Sequence, residues 1–439
     1  LNLIAASNRI FDHSAVYCRG DFNDIFPGRE NVCKSWKMSS HGEKDKNSEE
    51  DPLEDSIARD SVVTKYSAAG NIADEVLKEL IGKCVENQSV RELCEFGDKS
   101  ITERAAKVFK KKNVKKGIAF PTCISVNHCI FNFSPLNSEP DVVLAAGDVV
   151  KIELGVHVDG FIAMVAHTVV VSVEKEEKIK GRRADVILAA YYCLEAAVRM
   201  LRPGVYKNTD LIDIINKVAA VYNCRPVENI MSFSLKRNKL DGPNEIIQHP
   251  TEKKPVEFQK HEFEDHEVYA LGVVISTGDG KPKSNEVRTT VYKRNEDVIY
   301  QLKMKASRAF FFDCERQFGS MGFTLRNFED EKKARLGVIE CEKHNLLKPY
   351  QVLYEREGEL VAYFKTTVLV LPSGLVKVCG LSIPLNRYES EFQIQDKELL
   401  QLINSSLKHP KKKSRKSESE GGPPQQTSAG NAVQASSGN

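Results

Sequence analysis

Between residues 61 and 403 the apolar positions follow two periods. Ile72, Ala73, Val76, Leu77, Leu80 and Ile81 recur every three or four residues, the spacing that lines one face of an α-helix. Ser100–Lys112 continues in the same period as a helix with a basic end. Arg183–Leu201 is apolar over much of its circumference and stops at Arg202-Pro203-Gly204. Asn208–Val221 follows, opened by Asn-Thr-Asp, residue types that cap helix N-termini. Between these helix pairs the β-rich runs Asp148–Val158 and Phe161–Val173 flank Asp159-Gly160, a dipeptide suited to a turn with positive φ, and predict a hairpin. Val268–Ser276 and Val361–Leu371 read as further strands, and Asp297–Phe318 and Phe328–Leu347 as helices. A helix pair, a hairpin, a second helix pair and more strands predict an α/β body with a pseudo-repeated plan.

The ends lack such periods. Residues 1–37 hold the only tryptophan, Trp36, but no apolar pattern, and Met38-Ser-Ser before an acidic stretch looks like a natural start. Residues 1–37 are therefore expected to be an upstream or isoform extension without a fold of its own. Residues 38–60 carry eight acids against three bases and predict an acidic flexible segment. Residues 404–439 carry six bases against two acids with almost no large apolar side chain, so they predict a disordered basic tail. The body, 61–403, is expected to be one domain with a helical insertion at about 297–347.

The net charge of +2 thus sums ends of opposite sign, and any attraction to phosphate must come from local basic runs. At 41% hydrophobic and 28% charged residues the composition is that of a folded protein. No apolar run approaches ~18 residues, so membrane insertion is not expected. The eleven cysteines include no CxxC pair, which argues for reduced thiols in a cytosolic or nuclear protein and against a zinc or disulfide framework.

Four segments carry candidate chemistry. Phe120–Pro135, FPTCISVNHCIFNFSP, precedes the strand pattern VKIELGVHVDGFIAMVAHT at Val150–Thr168, and EVYALG at Glu267–Gly272 and YFKTT at Tyr363–Thr367 follow. In this order they resemble the type II methionine aminopeptidases. That resemblance implies the pita-bread fold, two pseudo-symmetric α/β halves around a central pocket, with a helical insertion before the last ligand strand. It also implies metal-ligand positions for two Asp, one His and two Glu. These fall on Glu153, Met164, Ser232, Gly272 and Lys365, and a further pocket histidine falls on Asn132.

A two-metal hydrolase needs oxygen and imidazole ligands to hold both cations and activate the water between them. Glu153 alone meets that need, and Lys365 puts an ammonium where a cation would sit. An ion pair between Lys365 and Glu153 is expected in place of the metal. His128, His157, His167 and Glu267 lie near the motifs without a paired spacing such as HExxH, and Ser232 lacks a nucleophile signature. Neither a catalytic residue nor a cofactor is expected.

The phrases GIAFPT at Gly117–Thr122, GVHVDGFIA at Gly155–Ala163, VAHT at Val165–Thr168, LKMKASRAFF at Leu302–Phe311 and FEDEKKAR at Phe328–Arg335 resemble more closely the proliferation-associated, ErbB-receptor-binding protein family. That family keeps the fold and lacks the metals. The resemblance implies a non-catalytic, monomeric adaptor for the large ribosomal subunit, structured RNA, ErbB-type receptor tails and transcription coregulators. It further implies roles in translation, ribosome biogenesis and growth regulation, in the cytoplasm, nucleus and nucleolus. The alternatives are an active metallo-aminopeptidase with shifted ligands and a module that binds peptide N-termini.

Two basic runs suit phosphate contacts or a nuclear address: Lys107, Lys110, Lys111, Lys112, Lys115 and Lys116, and Lys408, Lys411, Lys412, Lys413, Arg415 and Lys416. The first run also fits a solvated helix end favoured by the helix dipole. Leu399, Leu402 and Ile403 sit in an LxxLL-like run that suits either a coregulator groove or simple packing of a C-terminal helix.

Overall fold

The computed structural model describes residues 54–110, 114–171, 178–251, 258–284 and 287–409. The first helix, α1 (Asp60–Lys83), turns Val62, Tyr66, Ala69, Ala73, Val76, Leu77 and Leu80 inward, the face its apolar spacing predicts. The fold starts ahead of it. Ile57 is buried and Asp55 pairs with Arg237 at 3.1 Å, so residues 54–60 belong to the body rather than to a flexible acidic segment.

Helix α2 (Val90–Lys107) begins ten residues before the predicted Ser100. Ser89 caps it by accepting from the Glu92 N–H at 3.1 Å, the first half of an S-x-x-E signature. It stops at Lys107, short of Lys112, because Val108 is extended and Phe109 takes φ 48°, and Lys116 reaches back to donate to the Val108 carbonyl.

Strands β1 (Lys116–Val126), β2 (Cys129–Phe131), β3 (Val149–Val158) and β4 (Phe161–Val170) follow. β3 and β4 pair without interruption from Val149↔Val170 to Val158↔Phe161, closed by Asp159 at φ 56° and Gly160 at φ 79°. This is the predicted hairpin and its positive-φ turn.

Helices α3 (Arg182–Arg199) and α4 (Asp210–Val221) form the second pair. The expected Asn-Thr-Asp cap does not form, since Thr209 makes no side-chain cap bond. Asn208 is instead buried, its amide donating to the carbonyls of Glu245 at 2.9 Å and Gln259 at 2.8 Å.

The main sheet runs in the order β1, β3, β4, Val361–Leu371, Val268–Ser276, Met231–Ser234, Glu245–Ile247. Helices α1 and α2 cover β1, β3 and β4, while α3 covers Val268–Ser276 and Val361–Leu371. Each half thus has its own core, one around Tyr66, Leu77 and Phe161, the other around Leu194, Leu211 and Phe364.

The insertion holds α5 (Lys305–Phe318) and α6 (Glu331–Lys343), both shorter than predicted. Glu340 accepts from the N–H groups of Lys303 at 2.8 Å and Met304 at 3.0 Å, which holds the chain ahead of α5 out of the helix. A buried ion pair, Arg326 to Asp98 at 2.7 Å, ties the insertion to α2.

Helix α7 (Lys397–Asn404) packs on α3 with Leu399 and Ile403 buried and Leu402 half-buried. The coregulator reading of these three residues is therefore corrected to packing: the apolar stripe is already covered. The chain beyond α7 remains folded. The Ser405 carbonyl accepts from Arg199 at 2.9 Å, the Leu407 carbonyl accepts from the Leu375 N–H at 2.8 Å, and Lys408 bridges to Gly374. Residues 404–408 thus close the body instead of beginning a tail. Among the described residues no helix is long and apolar enough to cross a membrane.

Candidate metal centre and its surroundings

The two halves meet between β4 and Val361–Leu371, where the ladder has a single position, Lys365↔Ala166. Threonines bridge the rest. The Thr168 hydroxyl accepts from the Tyr363 N–H and donates to its carbonyl, both at 2.8 Å. The Thr367 hydroxyl does the same to Met164, at 2.8 and 3.0 Å. Strands held apart by side chains leave room between them, and a cavity of about 50 Å³ opens there, lined by Glu153, Met164, Ser232 and Lys365 with Phe120, Tyr350 and others.

Four of the five predicted ligand positions line that cavity, and Gly272 lies beside it, opposite Lys365 in the ladder. The expected ion pair forms: Lys365 Nζ donates to Glu153 Oε1 at 2.6 Å, with side chains 17% and 6% exposed. Tyr363 Oη donates to the same oxygen at 3.0 Å, and the Lys365 ammonium lies 5.4 Å from the Tyr363 ring centre.

Two glycines make room for the bulk that replaced the ligands. A Cβ on Gly272 would sit 3.1 Å from Lys365 Cε, and one on Gly155 would sit 2.4 Å from the Met164 sulfur. Ser232 is spent on the backbone, its hydroxyl accepting from the Gly272 N–H at 3.0 Å and lying 3.3 Å from the Gly272 carbonyl. Asn132, at φ 66°, donates to the Gln351 carbonyl at 3.0 Å and does not reach the cavity wall.

These residues do not fit a pair of divalent metals. Of the ligand positions one carboxylate remains and an ammonium already neutralises it, a thioether, a committed hydroxyl and a bare glycine supply no hard ligand, and Asp241, the other carboxylate in the lining, is paired with Lys293. The nearby candidates do not compensate. His167 is buried edge-on against Phe364 at 5.1 Å, and burial pushes its pKa down to about 4. His157 is likewise pushed down to about 4, chiefly by burial. Glu267 accepts from Tyr269 Oη at 2.9 Å and from Asn244. Among the described residues no group of three or more His, Cys, Asp or Glu could hold a metal ion.

Sequence reasoning missed Tyr363, although it stands two residues before Lys365 on one strand and so shares its face. It also missed the charged mouth beside the cavity, where Asp241 is held by Lys293 and, at 3.6 Å, by Lys348. Burial raises the Asp241 carboxyl, but Lys293 outweighs it and leaves the pKa below the usual value. No local pattern links residues 241, 293 and 348.

Of the first basic run, Lys107, Lys110 and Lys115 are exposed and Lys116 is committed to the Val108 carbonyl. Lys111 and Lys112, and Lys411, Lys412, Lys413, Arg415 and Lys416, lie outside the described residues, and so do residues 1–53.

The signature of metallopeptidase family M24 matches residues 64–272. Proliferation-associated protein A of Dictyostelium discoideum is 45% identical over 358 residues, 81% of this chain and 91% of its own length. The ERBB-3 binding protein 1 of Arabidopsis thaliana is 46% identical over 329 residues, 74% of this chain and 82% of its own length. The solved structure of a thermophilic Arx1 superposes with a TM-score of 0.76 at 29% identity, over 80% of this chain and all of that one. With its two halves, its central cavity and these relatives, the chain belongs to the family of proliferation-associated and ERBB-3-binding proteins, on the pita-bread fold of metallopeptidase family M24.

Proposed function

We infer that the protein is a non-catalytic adaptor that has kept the aminopeptidase fold and works in translation, ribosome biogenesis and growth regulation. Its proposed partners are the large ribosomal subunit, structured RNA and regulatory proteins such as ErbB-type receptor tails. The observation that carries the reading is Lys365 on Glu153: the cation that would have been a metal is a side chain. A cavity of about 50 Å³ also falls far under the roughly 300 Å³ at which ligand clefts begin, which disfavours a peptide N-terminus as occupant.

RNA contact is assigned to the exposed Lys107, Lys110 and Lys115, at the end of α2 and in the loop after it, together with the basic run around Lys411–Lys416. Lysines of this kind neutralise phosphate without reading bases. Sedimentation with ribosomal subunits over a salt series tests the assignment. Binding weakens with salt, and replacing Lys107, Lys110 and Lys115 by Ser lowers the log–log slope by about 0.7 for each phosphate no longer neutralised. Pelleting that ignores salt and both basic runs overturns it.

Purified protein is expected to carry no stoichiometric metal and to leave Met-Ala peptides intact. Two equivalents of Mn, Co or Zn together with cleavage would restore the enzyme reading. Localisation to cytoplasm, nucleus and nucleolus belongs to the same proposal. A fluorescent fusion lacking 410–439 is expected to lose nuclear signal if that run is the address.

A further inference from the structure

Away from the seam, a second cavity of about 720 Å³ opens against the turn between β1 and β2. It shares no lining residue with the central cavity or its charged mouth. Its volume lies within the roughly 300–1,000 Å³ typical of small-molecule sites, whose walls are mostly apolar with a few placed polar groups. The walls here follow that rule: Phe133, Pro135, Pro140, Val142, Val287 and Tyr354 supply apolar surface.

The charged groups in the wall are unequal in availability. Asp148 is used on both oxygens, accepting from Asn127 Nδ2 and from the Ala145 N–H, each at 2.8 Å. Glu139 accepts from the Leu136 N–H at 3.1 Å. Arg335 donates only to Ser138 Oγ, at 3.2 Å, and among the described residues neither Arg335 nor Arg288 has an ion-pair partner. Beneath the floor the buried Lys151 donates to the Asn127 carbonyl. Both carboxylates are hydrogen-bonded to neutral donors within the protein, Asp148 through both oxygens and Glu139 through one, whereas the two guanidinium groups have no carboxylate partner among the described residues.

We propose that this cavity is a binding site for a small amphipathic anion, with an aromatic or alkyl body against the Phe133, Pro140 and Val142 wall and a carboxylate or phosphate head at Arg288 and Arg335. Apolar burial supplies affinity, and charge-assisted bonds from guanidinium fix the orientation. The site is independent of the adaptor reading and involves neither the Lys365 pair nor the basic runs.

The probe is 8-anilinonaphthalene-1-sulfonate, an aromatic anion whose fluorescence rises in apolar surroundings, titrated into the full-length protein. Saturable binding at one site is expected, with displacement by dodecanoate or dodecyl phosphate, and the tighter of the two names the head group. Dodecanol and dodecyltrimethylammonium are expected to compete at least tenfold less well. Val287 is 40% exposed at the rim, so Val287→Glu leaves the fold intact, and the new carboxylate is expected to weaken both anions about tenfold. The double variant Arg288→Gln, Arg335→Gln acts in the same direction. Equal competition by dodecanol and dodecanoate, or binding untouched by Val287→Glu, overturns the proposal.

Discussion

Two adjacent strand pairs in one sheet are joined in opposite ways. β3 and β4 share an unbroken ladder and a tight turn, with nearly every side chain buried. Their neighbours β4 and Val361–Leu371 share one ladder position and lean on Thr168 and Thr367, each clasping the backbone of the other strand. The first joint is closed by backbone alone. The second is propped open by hydroxyl groups, and the gap it leaves is where Glu153 and Lys365 meet. The cavity is thus a property of how the halves are joined.

The sharpest way to break this contrast is to remove the cation at the open joint. Lys365→Met leaves Glu153 buried with Tyr363 Oη as its one remaining hydrogen-bond partner among the described residues, and losing one member of a buried pair costs about 3–5 kcal/mol. Adding Glu153→Gln is expected to recover much of that loss in urea unfolding. A double variant as unstable as the single one would show that the pair is not what matters.

Next come the props. Thr168→Val orphans both the N–H and the carbonyl of Tyr363, whereas Thr367→Val orphans the N–H of Met164 alone, whose carbonyl keeps the Cys379 thiol at 3.1 Å, at about 1–3 kcal/mol for each buried group left unpaired. Thr168→Val is therefore expected to be the costlier of the two in urea unfolding, and both cost more than a Val→Ala change at an exposed site. A Thr367→Val loss as large as that of Thr168→Val would show that the Cys379 thiol does not substitute for the lost hydroxyl.

The smallest effect lies in the closed joint. Lys151 on β3 is fully buried, and burial lowers its pKa to about 7 from 10.5. Between those values the unfolded chain holds a proton that the folded chain has released, so stability rises with pH across that window. From pH 7.5 to 8.5 the gain is about 1 kcal/mol, and Lys151→Met is expected to abolish it when the two stability curves are subtracted.

How much of this was legible depends on the range of each interaction. The hairpin and the strands Val268–Ser276 and Val361–Leu371 were, because alternation and Asp159-Gly160 are local signals. The start of α2 was available and overlooked: Ser89 and Glu92 are a capping pair three residues apart. Asn208 misled and the LxxLL-like run left docking and packing both open, since the same residue types serve caps, docking and packing, and only the covering elements decide. The ligand positions could be placed by resemblance, but the Thr168 and Thr367 clasps, the Asp241 cluster and the peripheral cavity arise from segments that meet only in the folded chain.

Gly272 and Lys365 also bear on reversal. A glutamate restored at 272 alone would begin with its Cβ 3.1 Å from Lys365 Cε and against the Tyr363 ring. A glutamate restored at 365 alone would set two acids together with no cation between them. Either single step back toward a metal site passes through a less stable protein, so the change works as a ratchet: each replacement holds the other in place.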